Sequence, residues 1–264
     1  MAFATVNAAL NVQSSPTHSP LKINMPIYFI SDLHLQESHP AMTQGFFHFL
    51  ENLKDAEALY ILGDFFEVWI GDDYETPFIK SVKDALAALS ARGVKLYLLH
   101  GNRDFALGEL FCAQTGAEIL PDPCVVKVQD TQVLLMHGDS LCTADLAYMK
   151  MRPMLRNPMM IKQLLSQSIE NRLAMAARMR GESQKGNAMK AAEIMDVTPE
   201  EVDKVLSEKA VAVMIHGHTH RPFDHHWQHE GQARRRLVLG DWSDTQGWMI
   251  RAENNQFELK SFSL

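Results

Sequence analysis

The chain has 264 residues, 46% of them hydrophobic and 22% charged, with 25 Lys and Arg against 32 Asp and Glu. That composition suits one large globular domain or two small ones; it excludes a chain disordered throughout and a collagen-like repeat, and with no run of ~18 apolar residues it excludes a membrane-spanning bundle. The net charge of −7 argues against a nucleic-acid-binding module, yet Met149–Met195 holds nine Lys/Arg against three Glu, so that stretch carries +6 and the remainder −13.

Residues 1–24 carry Asn, Ser, Thr and Pro without a basic stretch followed by an apolar one, so they read as a disordered tail and not as a secretion signal. Alternatively the protein starts at Met25, since Met25-Pro26-Ile27 runs straight into the first strand. That strand, Ile27–Ile30, ends in Ser31-Asp32-Leu33-His34. A helix over Gln44–Leu53 follows, then a strand Ala58–Leu62 that ends in Gly63-Asp64. A helix Pro77–Ala91 leads to the strand Val94–Leu99, which ends in His100-Gly101-Asn102-Arg103-Asp104. Val125–Val128 and Val133–Met136 form a hairpin around Asp130-Thr131 and end in His137-Gly138-Asp139. From Ala144 to Ser207 strand signals vanish: Ile161, Leu164, Leu165, Ile169, Leu173 and Ala176 follow helical spacing, and Thr198-Pro199-Glu200-Glu201 starts a helix. This insertion holds nine of the fifteen methionines. Val211–Ile215 then ends in His216-Gly217-His218-Thr219-His220, Leu237–Leu239 leads into Gly240-Asp241-Trp242, and Trp248–Phe262 is a closing hairpin turning at Glu253-Asn254-Asn255. Cys112, Cys124 and Cys142 are odd in number and form no Cys-x-x-Cys pair, which fits a reducing cytoplasm.

Alternating strands and helices predict an α/β domain, and five polar clusters each follow the C-terminal end of an apolar strand, the rim where such sheets bind ligands. Together the clusters offer two carboxylates (Asp32, Asp64), one amide oxygen (Asn102) and four imidazoles (His34, His137, His218, His220). These donors suit Mn²⁺, Fe²⁺ or Zn²⁺, and seven are too many for one ion but suit two that share a carboxylate. Such a pair generates hydroxide near neutral pH and stabilises charge developing at phosphorus. The neighbouring glycines let the backbone turn sharply at the strand ends. Taken alone, Asp-x-His or Gly-Asp is an ordinary turn; it is the ordered set that points to metal. His100 and His216 read as structural, and His18, His39, His48, His225, His226 and His229 as surface residues. Nucleophile-elbow, Walker-type phosphate-loop and His-Glu-x-x-His patterns are absent.

The five-part pattern resembles the calcineurin-like metallophosphoesterase superfamily. The fuller strings, Gly63-Asp64-Phe65-Phe66-Glu67-Val68-Trp69-Ile70-Gly71-Asp72-Asp73, Gly101-Asn102-Arg103-Asp104-Phe105 and His216-Gly217-His218-Thr219-His220-Arg221-Pro222, are similar to its lipid A branch over about residues 27–250. The resemblance implies a layered β-sandwich flanked by helices (residues 25–264) with an all-helical lid insertion at about 144–207. It implies cleavage of the pyrophosphate bond of UDP-2,3-diacylglucosamine to UMP and 2,3-diacylglucosamine 1-phosphate. A nucleotide phosphodiesterase, a protein phosphatase and a non-catalytic scaffold of the same fold are the alternatives.

Carried over by position, the resemblance implies two Mn²⁺ ions per subunit. Asp32, His34, Asp64 and His220 would hold one; Asp64, Asn102, His137 and His218 would hold the other, with Asp64 bridging. Asp64, Asn102, Arg103 and His218 take catalytic roles in this reading. The substrate contacts it implies are Asn102, Arg103, His218, Asp145 and, in the insertion, Ser183, Asn187 and Lys190, which a helix places on one face. Two positions depart from the common pattern: Ala144 replaces a second Asp, and Arg103 replaces the His often assigned as proton donor. Arg103 fits instead as a clamp on the diphosphate. By composition alone the methionines read as bundle core and the basic residues as a solvated face; with the resemblance, the insertion caps the site and holds both acyl chains. The remaining expectations are a monomer without nucleic acid, peripheral to the cytoplasmic face of a Gram-negative inner membrane.

Overall fold

The computed structural model describes residues 25–188 and 196–264, with the side chains of 182–188 excepted. The expected tail, His18 and Lys190 lie outside the described residues, as do the side chains of Ser183 and Asn187.

Two sheets form the centre. The first has the order β11-β10-β1-β2-β3-β4, with β1 (Ile27–Ile30), β2 (Ala58–Ile61), β3 (Lys95–Leu98) and β4 (Ala117–Ile119) parallel and β10 (Gln246–Glu253) and β11 (Gln256–Ser263) added antiparallel. The second has the order β5-β6-β7-β9-β8: β6 (Thr131–Leu135), β7 (Val213–His216) and β9 (Gln232–Val238) are parallel, flanked by antiparallel β5 (Cys124–Val128) and β8 (Phe223–His229).

The two-residue period of each strand sorts its side chains into layers. Phe29, Tyr60 and Leu62 meet Val133, Leu135, Ile215 and Leu237 between the sheets. Ile30, Leu59, Ile61, Leu96 and Leu98 point the other way, onto α1 (Pro40–Asn52), α2 (Pro77–Ala91) and α3 (Glu109–Thr115). On the far side Leu134, Met136 and Met214 cover Val202 and Leu206 of α7 (Pro199–Glu208). The result is the expected sandwich flanked by helices. The central parallel strands β1, β2 and β7 are buried almost throughout, which is why they read as continuous apolar runs.

Several elements differ from expectation. Helix α1 begins at Pro40, four residues early, because proline at the first helical position needs no amide partner. Short α3 and β4 and the polar edge strand β8 carry no long apolar run, so they have no sequence signal. The closing hairpin turns at Asn254-Asn255, both left-handed (φ 52° and 60°), the backbone of a two-residue hairpin loop. The insertion is helical throughout its described part: α4 (Leu146–Leu155), α5 (Pro158–Leu165), α6 (Ile169–Ala188) and α7. Whereas α7 packs into the body, α4 and α5 bury none of their side chains fully.

Candidate metal centre and cavity

The C-terminal ends of β1, β2, β3, β6 and β7 converge. The loop after β1 is tied to the loop after β2 by Asp32 N to Gly63 O (3.1 Å) and His34 N to Asp64 O (3.0 Å). Gly217 N donates to His137 O at 2.9 Å, joining the two loops of the second sheet, and Asp32 Oδ2 accepts from His218 N at 2.8 Å, which brings them against the first sheet's loops. Asp104, fully buried, accepts from Phe65 N and Gly101 N at 2.7 Å each and locks two of these loops together. Asp104→Asn turns one acceptor into a donor facing an amide, so it is expected to cost about 2–4 kcal/mol, read from the urea unfolding midpoint.

Glycine turns the backbone as expected beside two donors, at Gly63 (φ 90°) and Gly138 (φ 114°), but several donors make the turn themselves. Asp32, His34, Asp64, His218 and His220 themselves adopt left-handed backbone, with φ of 56°, 49°, 50°, 68° and 55°. Non-glycine residues held there store strain that clusters at functional sites. Gly101 and Gly217 serve close approach instead: a Cβ on Gly101 would collide with Asp64, and one on Gly217 with Ser31 and Asp32.

The seven sequence-predicted donors form two neighbouring groups. In the first, His220 Nε2 lies 3.4 Å from both Asp32 Oδ1 and His34 Nε2. In the second, His137 Nε2 lies 3.0 Å from Asn102 Oδ1, 3.2 Å from His218 Nδ1 and 3.7 Å from Asp64 Oδ1. Asp64 stands between the groups, its Oδ2 4.0 Å from His34 Nε2.

These contacts fit a cation. His137 Nδ1 meets the Leu62 carbonyl at 2.9 Å, so it carries the hydrogen and Nε2 presents a lone pair to the Asn102 oxygen. Asp32 Oδ1 is buried without a hydrogen bond. Oxygen and nitrogen lone pairs facing one another need a positive charge between them, a proton or a metal ion. The titration behaviour registers that demand. Burial opposes charging His34, but Glu67, Asp64 and Asp32 outweigh it and push its pKa up to about 9. Burial likewise opposes the charge on Asp32, yet His220, His137 and His34 hold its carboxyl well below the usual range. His218, lowered to about 4 by burial and then by His137, stays neutral and able to ligate. Burial also lowers His216, to about 3; its Nδ1 meets Gly217 O at 2.8 Å, and His100 Nε2 meets Leu107 O at 2.8 Å, the structural settings expected of both. Of the histidines expected at the surface, His48 and His226 are exposed, while His39 and, on β8, His225 and His229 are half-buried.

A cavity of about 580 Å³ opens from this centre beneath the insertion. Its lining combines His34, Asp64, Asn102, Arg103, Asp145 and His218 with the apolar Met151, Leu155, Leu164, Met175 and Met179 of the insertion. Asp145 caps α4, accepting from Tyr148 N at 3.1 Å. Two buried anchors hold the insertion. Asp139, fully buried, accepts from Tyr148 and from Arg152 Nε (2.9 Å) and Arg156 Nη2 (3.3 Å) of α4 and the residue after it. Arg172 of α6, 2% exposed, donates to Ile70 O and to Asp73 Oδ1, each at 2.7 Å.

Four residues here escaped sequence reasoning: Glu67, Tyr148, Arg180 and Asp241. Two had a local signal: Glu67 is an acid within an aromatic string, and Asp241, 3.5 Å from His220 Nδ1, follows the apolar Leu237–Leu239. Tyr148 and Arg180 are brought in by tertiary packing.

Residues 25–222 match the family model for calcineurin-like phosphoesterase. A UDP-2,3-diacylglucosamine hydrolase of Stutzerimonas stutzeri is 52% identical over 239 residues, covering 90% of this chain and 99% of that protein. Proteins of the same name from Ectopseudomonas mendocina (51%, 90% and 98% covered) and Pseudomonas putida (49%, 89% and 98% covered) are similar.

Proposed function

The chain belongs to the calcineurin-like phosphoesterase family, and from that premise we propose that it hydrolyses the pyrophosphate bond of UDP-2,3-diacylglucosamine to UMP and 2,3-diacylglucosamine 1-phosphate, a step of lipid A biosynthesis. One observation carries the reading: a single cavity is lined both by members of a cation-demanding cluster and by methionines and leucines of the insertion, as a diphosphate attached to acyl chains requires.

In this reading Asp32, His34, Asp64 and His220 hold one divalent ion and Asp64, Asn102, His137 and His218 the other, with Mn²⁺ in both. When bound, two such ions supply a water nucleophile near neutral pH and positive charge for the phosphorus oxygens. Arg103, whose backbone N–H donates to Asp64 Oδ1 at 2.8 Å, presents its guanidinium to the diphosphate beside that centre. Asn102, Asp145 and His218 contact the substrate head from the cavity wall, and Ser183, Asn187 and Lys190 contact it from the insertion. The leaving group is a phosphate monoester, stable as an anion, so no proton donor is needed where Arg103 replaces histidine. Arg103→Ala is expected to lower kcat about 10²–10³-fold, and Arg103→Lys to recover only part of it, because ammonium lacks the two-pronged fit to phosphate.

Among the described residues no helix is long and apolar enough to cross a membrane. Met154 and Met159 are 55% and 81% exposed on α4 and α5, beside Lys150 and Lys162, which suits contact with the anionic cytoplasmic face of the inner membrane, where the lipid substrate resides.

A substrate panel with Mn²⁺ tests the function: UDP-2,3-diacylglucosamine, UDP-N-acetylglucosamine, a nitrophenyl phosphodiester and a phosphopeptide. The diacylated substrate is expected to lead by at least about 10²-fold in kcat/KM, since burying even a few methylenes contributes several kcal/mol. Equal turnover of the unacylated UDP-sugar overturns the assignment.

A further inference from the structure

Glu67 is not one of the seven donors, yet it touches three groups of the centre. Its Oε2 lies 3.1 Å from His34 Nδ1, and its Oε1 lies 3.3 Å from Arg103 Nη1 and 2.9 Å from Arg180 Nη2. The side chain is 12% exposed. Its backbone is fixed as well: Glu67 N donates to Leu35 O at 3.1 Å, and Leu35 bridges Phe66, so Glu67 belongs to the zipper that joins the His34 loop to the Asp64 loop. On either side in sequence Phe66 and Trp69 are packed in the aromatic core, their tilted rings 4.6 Å apart, which fixes the backbone that carries the carboxylate.

We infer that Glu67 is a positioning residue with two duties: it turns the His34 imidazole toward the first ion, and it holds Arg103 and Arg180 over the cavity until a diphosphate takes over their charge. The first duty follows from tautomer logic. A carboxylate 3.1 Å from Nδ1, close enough to pair though not aligned as a hydrogen bond, draws the hydrogen to that nitrogen and leaves Nε2, which faces Asp64 and His220, as the ligating atom. The second follows from charge. One carboxylate cannot neutralise two guanidinium groups, so Glu67 orients both as donors in the cavity lining and leaves charge on them for a diphosphate to meet. Arg180 comes from α6, so the same contact joins the insertion to the metal-bearing loops.

This inference rests on the proposed two-metal hydrolysis, and its test begins without substrate. Metal-stripped wild type, Glu67→Gln and Glu67→Asp are titrated with Mn²⁺ in a calorimeter. The Gln variant is expected to bind one ion about 10–100-fold more weakly and the other as wild type does, the usual scale for losing a carboxylate behind a ligating histidine. The Asp variant, which keeps the charge one methylene further back, falls between and carries the test if the Gln variant does not fold. At saturating Mn²⁺, kcat of the Gln variant on UDP-2,3-diacylglucosamine is expected to fall tenfold or more while KM does not rise, because the arginines are released and not removed. Wild-type affinity at both sites, or a raised KM with unchanged kcat, overturns the inference; the latter marks a mere anchor for the insertion. A wild-type protein that binds Mn²⁺ but releases no UMP instead defeats the proposed reaction and leaves the metal result standing.

Discussion

The Asp64→Ala protein is expected to fold, to lose one of its two Mn²⁺ ions and to release UMP at least about 10³-fold more slowly than wild type, the scale on which lost charge stabilisation at a reacting centre is felt. Asp64 is the one carboxylate between the two groups, with Oδ2 4.0 Å from His34 Nε2 and Oδ1 3.7 Å from His137 Nε2. The same Oδ1 accepts the Arg103 backbone N–H, so alanine also loosens the loop that aims the guanidinium. Asp64→Asn keeps the shape and that hydrogen bond but removes the charge, and its loss should approach that of alanine if ligation is what matters. Bound metal by mass spectrometry and UMP release by chromatography check both variants, and wild-type rates in either contradict the shared-carboxylate centre.

Removal of Ile161–Arg180, bridged by a short Gly-Ser linker, should abolish turnover of UDP-2,3-diacylglucosamine by more than about 10²-fold while leaving the body folded. The segment supplies the apolar Leu164, Met175 and Met179, together with Arg180, to the cavity lining. The three buried clusters that hold the sheets and helices together include none of its residues. Asp73, the partner of Arg172, is already 59% exposed and is left to water. A far-ultraviolet spectrum with cooperative melting shows that the body survives, and unchanged turnover shows that the insertion does not hold the acyl chains.

The metal-centre residues were legible because each lies immediately after an apolar strand, and strand ends are what hydrophobic patterning marks best. Asp32, Asp64, Asn102, His137 and His218 all follow that rule. The left-handed backbone of Asp32, His34, Asp64, His218 and His220 was not legible, since it arises where loops after different strands approach closely, such as Asp64 against Gly101. The polar edge strand β8, with the sequence Phe-Asp-His-His-Trp-Gln-His, has no apolar run because it has a neighbour on one side only. The insertion was legible as helices, but its anchoring was not. Arg172 on Asp73 and Arg152 and Arg156 on Asp139 are ion pairs between elements distant in sequence, and before folding they are simply members of a +6 stretch. That basic excess therefore divides. Arg152, Arg156 and Arg172 hold the insertion to the acidic body, whereas Arg180 is held at the cavity by Glu67.

Hydrolysis of UDP-2,3-diacylglucosamine with Mn²⁺ in water enriched in ¹⁸O shows which phosphorus is attacked and whether the reaction needs the metal. With the uridine-side phosphorus attacked, the label is predicted in UMP and absent from 2,3-diacylglucosamine 1-phosphate, and metal-stripped enzyme should release neither product. Label in the lipid phosphate, or undiminished release after metal removal, would contradict the account.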